Sequence, residues 1–232
     1  MPKVFGIEHI IYVVVFLVVL VASIFLVVTY IKDDEKKTYL FMRVTGAILL
    51  VLIILNRIAI SLHKGSWLYL IIDSYCGLCS FVFSLSLLFG KRNNMVLHFA
   101  CYLGLVGGLS NVIYPSYINQ GNSIFYFATI TGLLHHSVLV YGIIMCYITK
   151  FFVPTFKKWY VLPLGLTCCV SLGELEISLF GLPDAFLIKD AIISGTILTW
   201  YFIGVLLISA SILEMLIFDK INKIEIFKKQ EK

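Results

Sequence analysis

Two thiols, a carboxylate and three hydroxyls share one short stretch, Asp73-Ser74-Tyr75-Cys76-Gly77-Leu78-Cys79-Ser80, with apolar runs at 67–72 and 81–89 on either side. An ionisable group in hydrocarbon costs roughly 2.5–3.5 kcal/mol on insertion scales, so such groups face a bundle interior or a wet cavity. Taken as one helix over 67–90, the stretch brings Asp73, Cys76, Cys79 and Ser80 to a single face. A thiol is a useful nucleophile only when ionised, and a nearby imidazole can take its proton or hold its charge. Cys79 is the candidate nucleophile, because His136 and His135 reach the same depth on another helix. The two histidines are adjacent, about 100° apart around that helix, so one at most points straight at Cys79. The plainer alternative is a packed thiol and two structurally bonded histidines.

Other polar groups collect nearby. Arg57 and Asp73 fall at matched height on neighbouring segments, where opposite charges reduce each other's desolvation cost. A structural ion pair is the first reading. In the functional one, Arg57 grips a headgroup as a bidentate donor. Asn111 and Glu174 come to similar heights and complete the candidate substrate-binding set of Arg57, Asp73, Asn111 and Glu174. Cys76-Gly77-Leu78-Cys79 is also a CxxC, a redox motif where it opens a helix. Within a 67–90 helix it lies two turns or more inside, where the dipole helps little. His9 and His63 fall at one surface and His98 near the other, so no metal site and no cofactor is expected.

The elements that must position these groups are legible in the composition. Of 232 residues, 60% are hydrophobic and 13% charged, and the mean hydropathy is +1.00. Soluble domains carry about 25% charged residues. The chain reads as an all-α, multi-pass membrane protein, a single transmembrane domain over 1–232 with no separate soluble domain. Seven apolar segments lie near 10–31, 40–62, 67–90, 95–114, 124–149, 159–180 and 191–218, each close to the roughly 20 residues a bilayer demands. The first is too long for a signal h-region and runs into Lys32-Asp33-Asp34-Glu35-Lys36-Lys37, so it reads as a retained span.

The net charge of +5 does not point to nucleic acid, since the cations lie in short loops and the C-terminal tail. Seven spans put Lys32, Lys36, Lys37, Lys91, Arg92, Lys150, Lys157, Lys158 and the five lysines from Lys220 onward on one side. Lys3, Lys64 and Lys189 fall on the other. The positive-inside rule then places the N-terminus outside and the C-terminus in the cytoplasm of a cell-membrane protein. The polar groups gather in the outer half, under a belt of Trp67, Tyr114, Tyr117 and Trp159. Gly104 and Gly108 form a small-xxx-small pair, a helix-packing signal.

Several pieces resemble one family. They are Cys76-Gly77-Leu78-Cys79-Ser80, Tyr102-Leu103-Gly104-Leu105-Val106-Gly107-Gly108, Asn111 and Pro115, His135-His136, and the loop at Pro154. Together, over about residues 70–160, they are similar to the bacterial YwaF-like seven-span proteins and their eukaryotic phospholipid-acyltransferase relatives. The resemblance implies a seven-helix fold and a Cys of the third span working with a His of the fifth. Those roles fall on Cys79 and His136, with His135 the fallback. The family's Asn-Tyr pattern late in the sixth span is absent, and Glu174-Leu175-Glu176 stands there. The expectation is thiol-dependent acyl transfer or hydrolysis on a membrane lipid, in a cavity open to the outer leaflet. The competing class is a transporter or ligand-binding protein that uses Arg57, Asp73 and Glu174 to hold a polar solute.

Overall fold

The computed structural model describes residues 2–191 and 195–230, with side chains up to residue 221. Residues 192–194 of the expected seventh segment, and the side chains of the last lysines, lie outside the described residues. Among the described residues there are seven α-helices and no strand. They are α1 (Ile7–Tyr30), α2 (Glu35–Lys64), α3 (Tyr75–Phe89), α4 (Met95–Ile113), α5 (Phe127–Ile148), α6 (Val161–Phe180) and α7 (Trp200–Gln230). Six are long and apolar enough to cross a membrane, and α3, with 15 residues, is the short one. The chain divides into two compact units, one ending at Phe152 and one beginning at Val153.

In the first unit α5 packs against α1, α2, α3 and α4, and α3 fills the space between α2 and α4. The reason is written in small residues. A side chain at Gly104 or Gly108 would meet Ile143, Leu139 or Val140 of α5 at 2.9–3.5 Å, so both glycines serve close α4–α5 approach. Helix α1 is apolar on all sides, and Val14, Val18, Val21 and Phe25 are exposed. A helix apolar all round belongs in a bundle core or in lipid, and the exposed face of α1 is the lipid kind. It is tied at its start by His9, whose Nε2 donates to the Val112 carbonyl (3.0 Å) while Nδ1 accepts from the Phe5 amide.

The expected third span, 67–90, is corrected by the structure. Only Tyr75–Phe89 is α-helical; Trp67–Leu70 makes one 3-10 turn, and the chain is extended from there to Ser74. Two features cause the break. Ser74 caps α3, its Oγ accepting from the Gly77 amide at 3.3 Å. Arg57 Nη1 donates to both the Ile71 carbonyl (3.3 Å) and Asp73 Oδ1 (2.8 Å), groups engaged outside any helical ladder. Asp73 therefore precedes the helix and does not share its face. Cys76 becomes the second helical residue, and the expectation that the CxxC lies two turns inside a helix fails.

In the second unit α6 packs on α7, and the turn Phe156–Lys158 also meets α7. The seventh segment was expected from 191, yet α7 begins at Trp200. Gly195 takes φ +79°, outside helical space, and the Trp200 amide is spent on the Leu187 carbonyl at 2.7 Å.

Candidate functional site

A cavity of about 300 Å³ opens among α2, the extended segment before α3, the start of α3, the end of α4 and the first half of α5. All of its lining lies in the first unit. At one end stand Lys64, Tyr69 and Gln120; Arg57, Asp73, Cys76, Asn111 and Tyr117 form the walls; Gly132, His135 and His136 come from α5.

The charged wall is built from α2. Arg57 and Asp73 form an ion pair at 2.8 Å, with side chains 11% and 25% exposed. Arg57 Nη2 donates to Asn56 Oδ1 (3.4 Å), and Asn56 Nδ2 donates in turn to Thr131 Oγ1 of α5 (3.2 Å). Arg57 is thus held by the segment before α3 and, through Asn56, linked to α5, while its Nε–H, buried, has no partner.

The thiol on the cavity is Cys76. Its Sγ accepts from Asn111 Nδ2 at 3.5 Å, and Asn111 also donates to the Gly107 carbonyl at 2.9 Å. A Cβ at Gly107 would stand 2.7 Å from that sulfur, so the glycine makes room for it. Backbone N–H groups of the first turn of α3 add positive potential around residue 76. Cys79, one turn further along α3, is 1% exposed and does not line the cavity.

Both histidines line it, although their positions around α5 had left room for only one to face the third segment. Their ring centroids are 3.9 Å apart with planes at 37°, and each residue is buried. His135 Nδ1 lies 3.2 Å from the Thr131 carbonyl, which can only accept, so the proton sits on Nδ1 and Nε2 of the neutral ring carries the lone pair. The buried Nδ1 of His136 has no partner. Among the described residues, no three of His, Cys, Asp and Glu converge as metal ligands.

Tyr117, Gln120 and Asn56 enter the site without having been among the site residues expected from the sequence. Tyr117 was expected in the interfacial belt. Its ring instead lies against Gly132 and 6.0 Å from the ring of His136. Burial first, then the nearness of Tyr12 and Cys76, pushes its hydroxyl well above its ordinary pKa, so it stays an O–H donor, and that O–H has no partner. Gly132, one turn before His136, was the available signal: a glycine there clears space for a ring beside the imidazole. Glu174 lies exposed on α6 in the second unit and is not among the residues that line the cavity.

What the arrangement offers is a thiol with an amide donor beside it, two imidazoles, and four unspent buried polar atoms around one space. Those atoms are Arg57 Nε, Tyr117 Oη, Gln120 Oε1 and His136 Nδ1. Buried polar atoms are normally satisfied, and these four share one cavity, where a bound molecule would be within their reach.

No curated protein and no solved structure matches this chain. Residues 4–172 match the TMEM164 family, a match that takes in the whole cavity, and the chain is therefore an integral membrane protein of the TMEM164 family.

Proposed function

We propose that the cavity performs thiol-dependent acyl transfer or hydrolysis on a membrane lipid, as the likeness to YwaF-like proteins and transmembrane phospholipid acyltransferases implies. The observation that carries the reading is the meeting of Cys76, His135, His136 and Asn111 on one cavity. A histidine takes the thiol proton; the sulfur attacks the ester carbonyl carbon, and a C–S bond forms as the carbonyl oxygen becomes an oxyanion. Asn111 Nδ2 or the Tyr117 O–H stabilises that oxyanion. Collapse breaks the C–O bond, and the imidazolium returns its proton to the departing glycerol oxygen. A second hydroxyl, from a lysolipid or water, then attacks the thioester and regenerates the thiol. Cys79 was the thiol expected from the sequence; the reading assigns the nucleophile to Cys76 because it is Cys76 that lines the cavity. Arg57, held by Asp73, contacts the headgroup phosphate with its unspent Nε–H.

The same proposal includes seven spans in a cell membrane, N-terminus outside and C-terminus cytoplasmic. Support for the seventh crossing comes from the two ends of α3. Cys76 lines the cavity with Lys64 and Gln120, while just past the other end the Asn93 amide donates to the Phe151 carbonyl beyond the end of α5. The residues of 67–74 fill the depth that a helix of about 22 Å leaves in a core of about 30 Å. Irregular backbone is tolerated at that depth where it lines a cavity. In a variant otherwise free of cysteine, Lys64→Cys, Asn119→Cys or Lys189→Cys should react with an impermeant thiol reagent from outside; Phe186, in the same loop as Lys189, is buried. Glu35→Cys, Arg92→Cys and Phe156→Cys should not, and labelling of both sets from one side removes the seven-span arrangement.

The chemistry is tested in proteoliposomes by mass spectrometry of the intact protein after exposure to a phospholipid donor. An acyl adduct should form on Cys76, vanish in Cys76→Ser and persist in Cys79→Ser. The opposite pattern returns the nucleophile to Cys79. Full turnover in both variants ends the thiol mechanism, and a wild-type protein that forms no adduct and turns over no lipid favours a transporter or solute-binding protein that uses Arg57 and Asp73.

A further inference from the structure

A second space flanks α5 on another side. It is an apolar crevice of about 380 Å³ between α1, α2 and α5, walled by Val15, Phe16 and Val19, by Val44 and Ile48, and by Leu134 and Val138. Along α1 it runs from Tyr12 to Ser23, about 16 Å, or half the depth of a bilayer's hydrocarbon. The rings of Phe41 and Tyr141, 6.4 Å apart, stand at the far end. Val15, Val19, Val44 and Ile48 are all about half exposed on helices that cross the membrane, so the medium against the crevice is hydrocarbon.

Its other end is polar. Tyr12 Oη and Ser137 Oγ are 2.7 Å apart, and Ser137 is 4% exposed. Two hydroxyls bring two O–H donors, and the single bond between them consumes one. The second donor has no acceptor there, in a place where an unpaired polar group is costly. Ser137 directly follows His136, and Tyr12 is near enough to Tyr117 to disfavour its ionisation, so this end adjoins the polar cavity.

We propose that the crevice binds one acyl chain of a membrane lipid, with the Tyr12–Ser137 pair giving its spare O–H to the carbonyl oxygen of that chain's ester. The chain displaces no water from its apolar walls, and the ester is delivered beside His136. The inference rests on the acyl-transfer reading for what happens to that ester, while occupancy of the crevice can be measured without any turnover.

The test uses the full chain in phosphatidylcholine nanodiscs doped with a phosphatidylcholine whose acyl chain ends in a diazirine. After photolysis, adducts mapped by mass spectrometry should concentrate on Val15, Val19, Val44, Ile48 and Val138. Val138→Trp, which fills the crevice, should cut them roughly tenfold, the effect of losing burial of about two methylenes. Val14→Trp, on an exposed part of α1 outside the crevice, should leave them unchanged. In the double variant Tyr12→Phe with Ser137→Ala the adducts should spread along the crevice, because the anchor that sets the chain's register is gone. Cys76→Ser must keep the wild-type pattern, so loss of turnover in that variant bears on the thiol chemistry alone. Should Val138→Trp misfold, the wild-type map still decides. Adducts spread evenly over all lipid-facing helices would overturn the proposal.

Discussion

The two ends of the first unit use the same kinds of residue to opposite effect. Away from the cavity, Arg92 lies over the rings of Tyr39 (5.5 Å) and Phe151 (5.9 Å), His98 packs edge-on against Phe152 at 4.7 Å, and Tyr102 meets Phe152 at 5.4 Å. Asn94 caps α4 by accepting from the Leu97 amide. At the cavity end an Arg, two His, a Tyr and an Asn again gather, and a buried guanidinium Nε–H without a partner occurs at both ends, on Arg92 and on Arg57. What differs is the filler. Phe151 and Phe152 close one end, whereas Gly107 and Gly132 hold the other open beside Cys76 and Tyr117. The residue types that do chemistry are therefore not diagnostic by themselves, and the volume left between them is.

That contrast can be broken most severely at Arg57. Arg57→Met leaves the Asp73 carboxylate uncompensated and should cost about 3–5 kcal/mol, while the double variant with Asp73→Leu should be milder than either single change. Thermal unfolding in detergent reads the cycle, and additive losses would mean that the pair contributes nothing jointly.

The packed end is probed by Leu97→Ala. Leu97 is fully buried next to the α4 cap, so its truncation should cost about 2–5 kcal/mol through the void it leaves. Alkylation of Cys76 should be unaltered in the folded variant. A changed Cys76 rate there would show that the two ends are not independent.

Gly107→Ala sharpens the other side of the comparison. Its methyl would stand 2.7 Å from Cys76 Sγ, so about 1–3 kcal/mol of overpacking is expected. The more telling readout is a slower reaction of Cys76 with a small maleimide, measured against wild type by mass spectrometry. An unchanged rate would mean the glycine does not set the sulfur's access.

The smallest effect is expected at Asp34, the exposed cap of α2, which accepts from the Lys37 amide at 3.1 Å. That hydrogen bond, with the Lys37 ammonium adding, holds its pKa below the usual 3.8. A depressed carboxylate pKa stabilises the fold above the unfolded value and loses that contribution as pH falls through the folded one. Asp34→Ala should therefore be slightly less stable than wild type at pH 7, and the gap should close below about pH 3.8. A gap that persists at pH 2 would mean that the carboxylate charge plays no part.

Hydropathy alone established a membrane protein of long apolar helices, because lipid acts on each segment separately and a run of about 20 apolar residues needs no tertiary partner to be recognised. The packing role of Gly104 and Gly108 was also legible, since the spacing of small residues is local. So was the Arg57–Asp73 pair, because unpaired charges in hydrocarbon must find each other. The start of α3 was not legible. It depends on Arg57, 14 residues earlier and on another helix, capturing the Ile71 carbonyl, and that capture brings Cys76 to the cavity wall and leaves Cys79 buried behind it. The inward turn of Tyr117 and the convergence of both histidines were likewise decided by tertiary structure. Helical periodicity gives angles around one axis, and only the packed neighbours determine which angles face a common space.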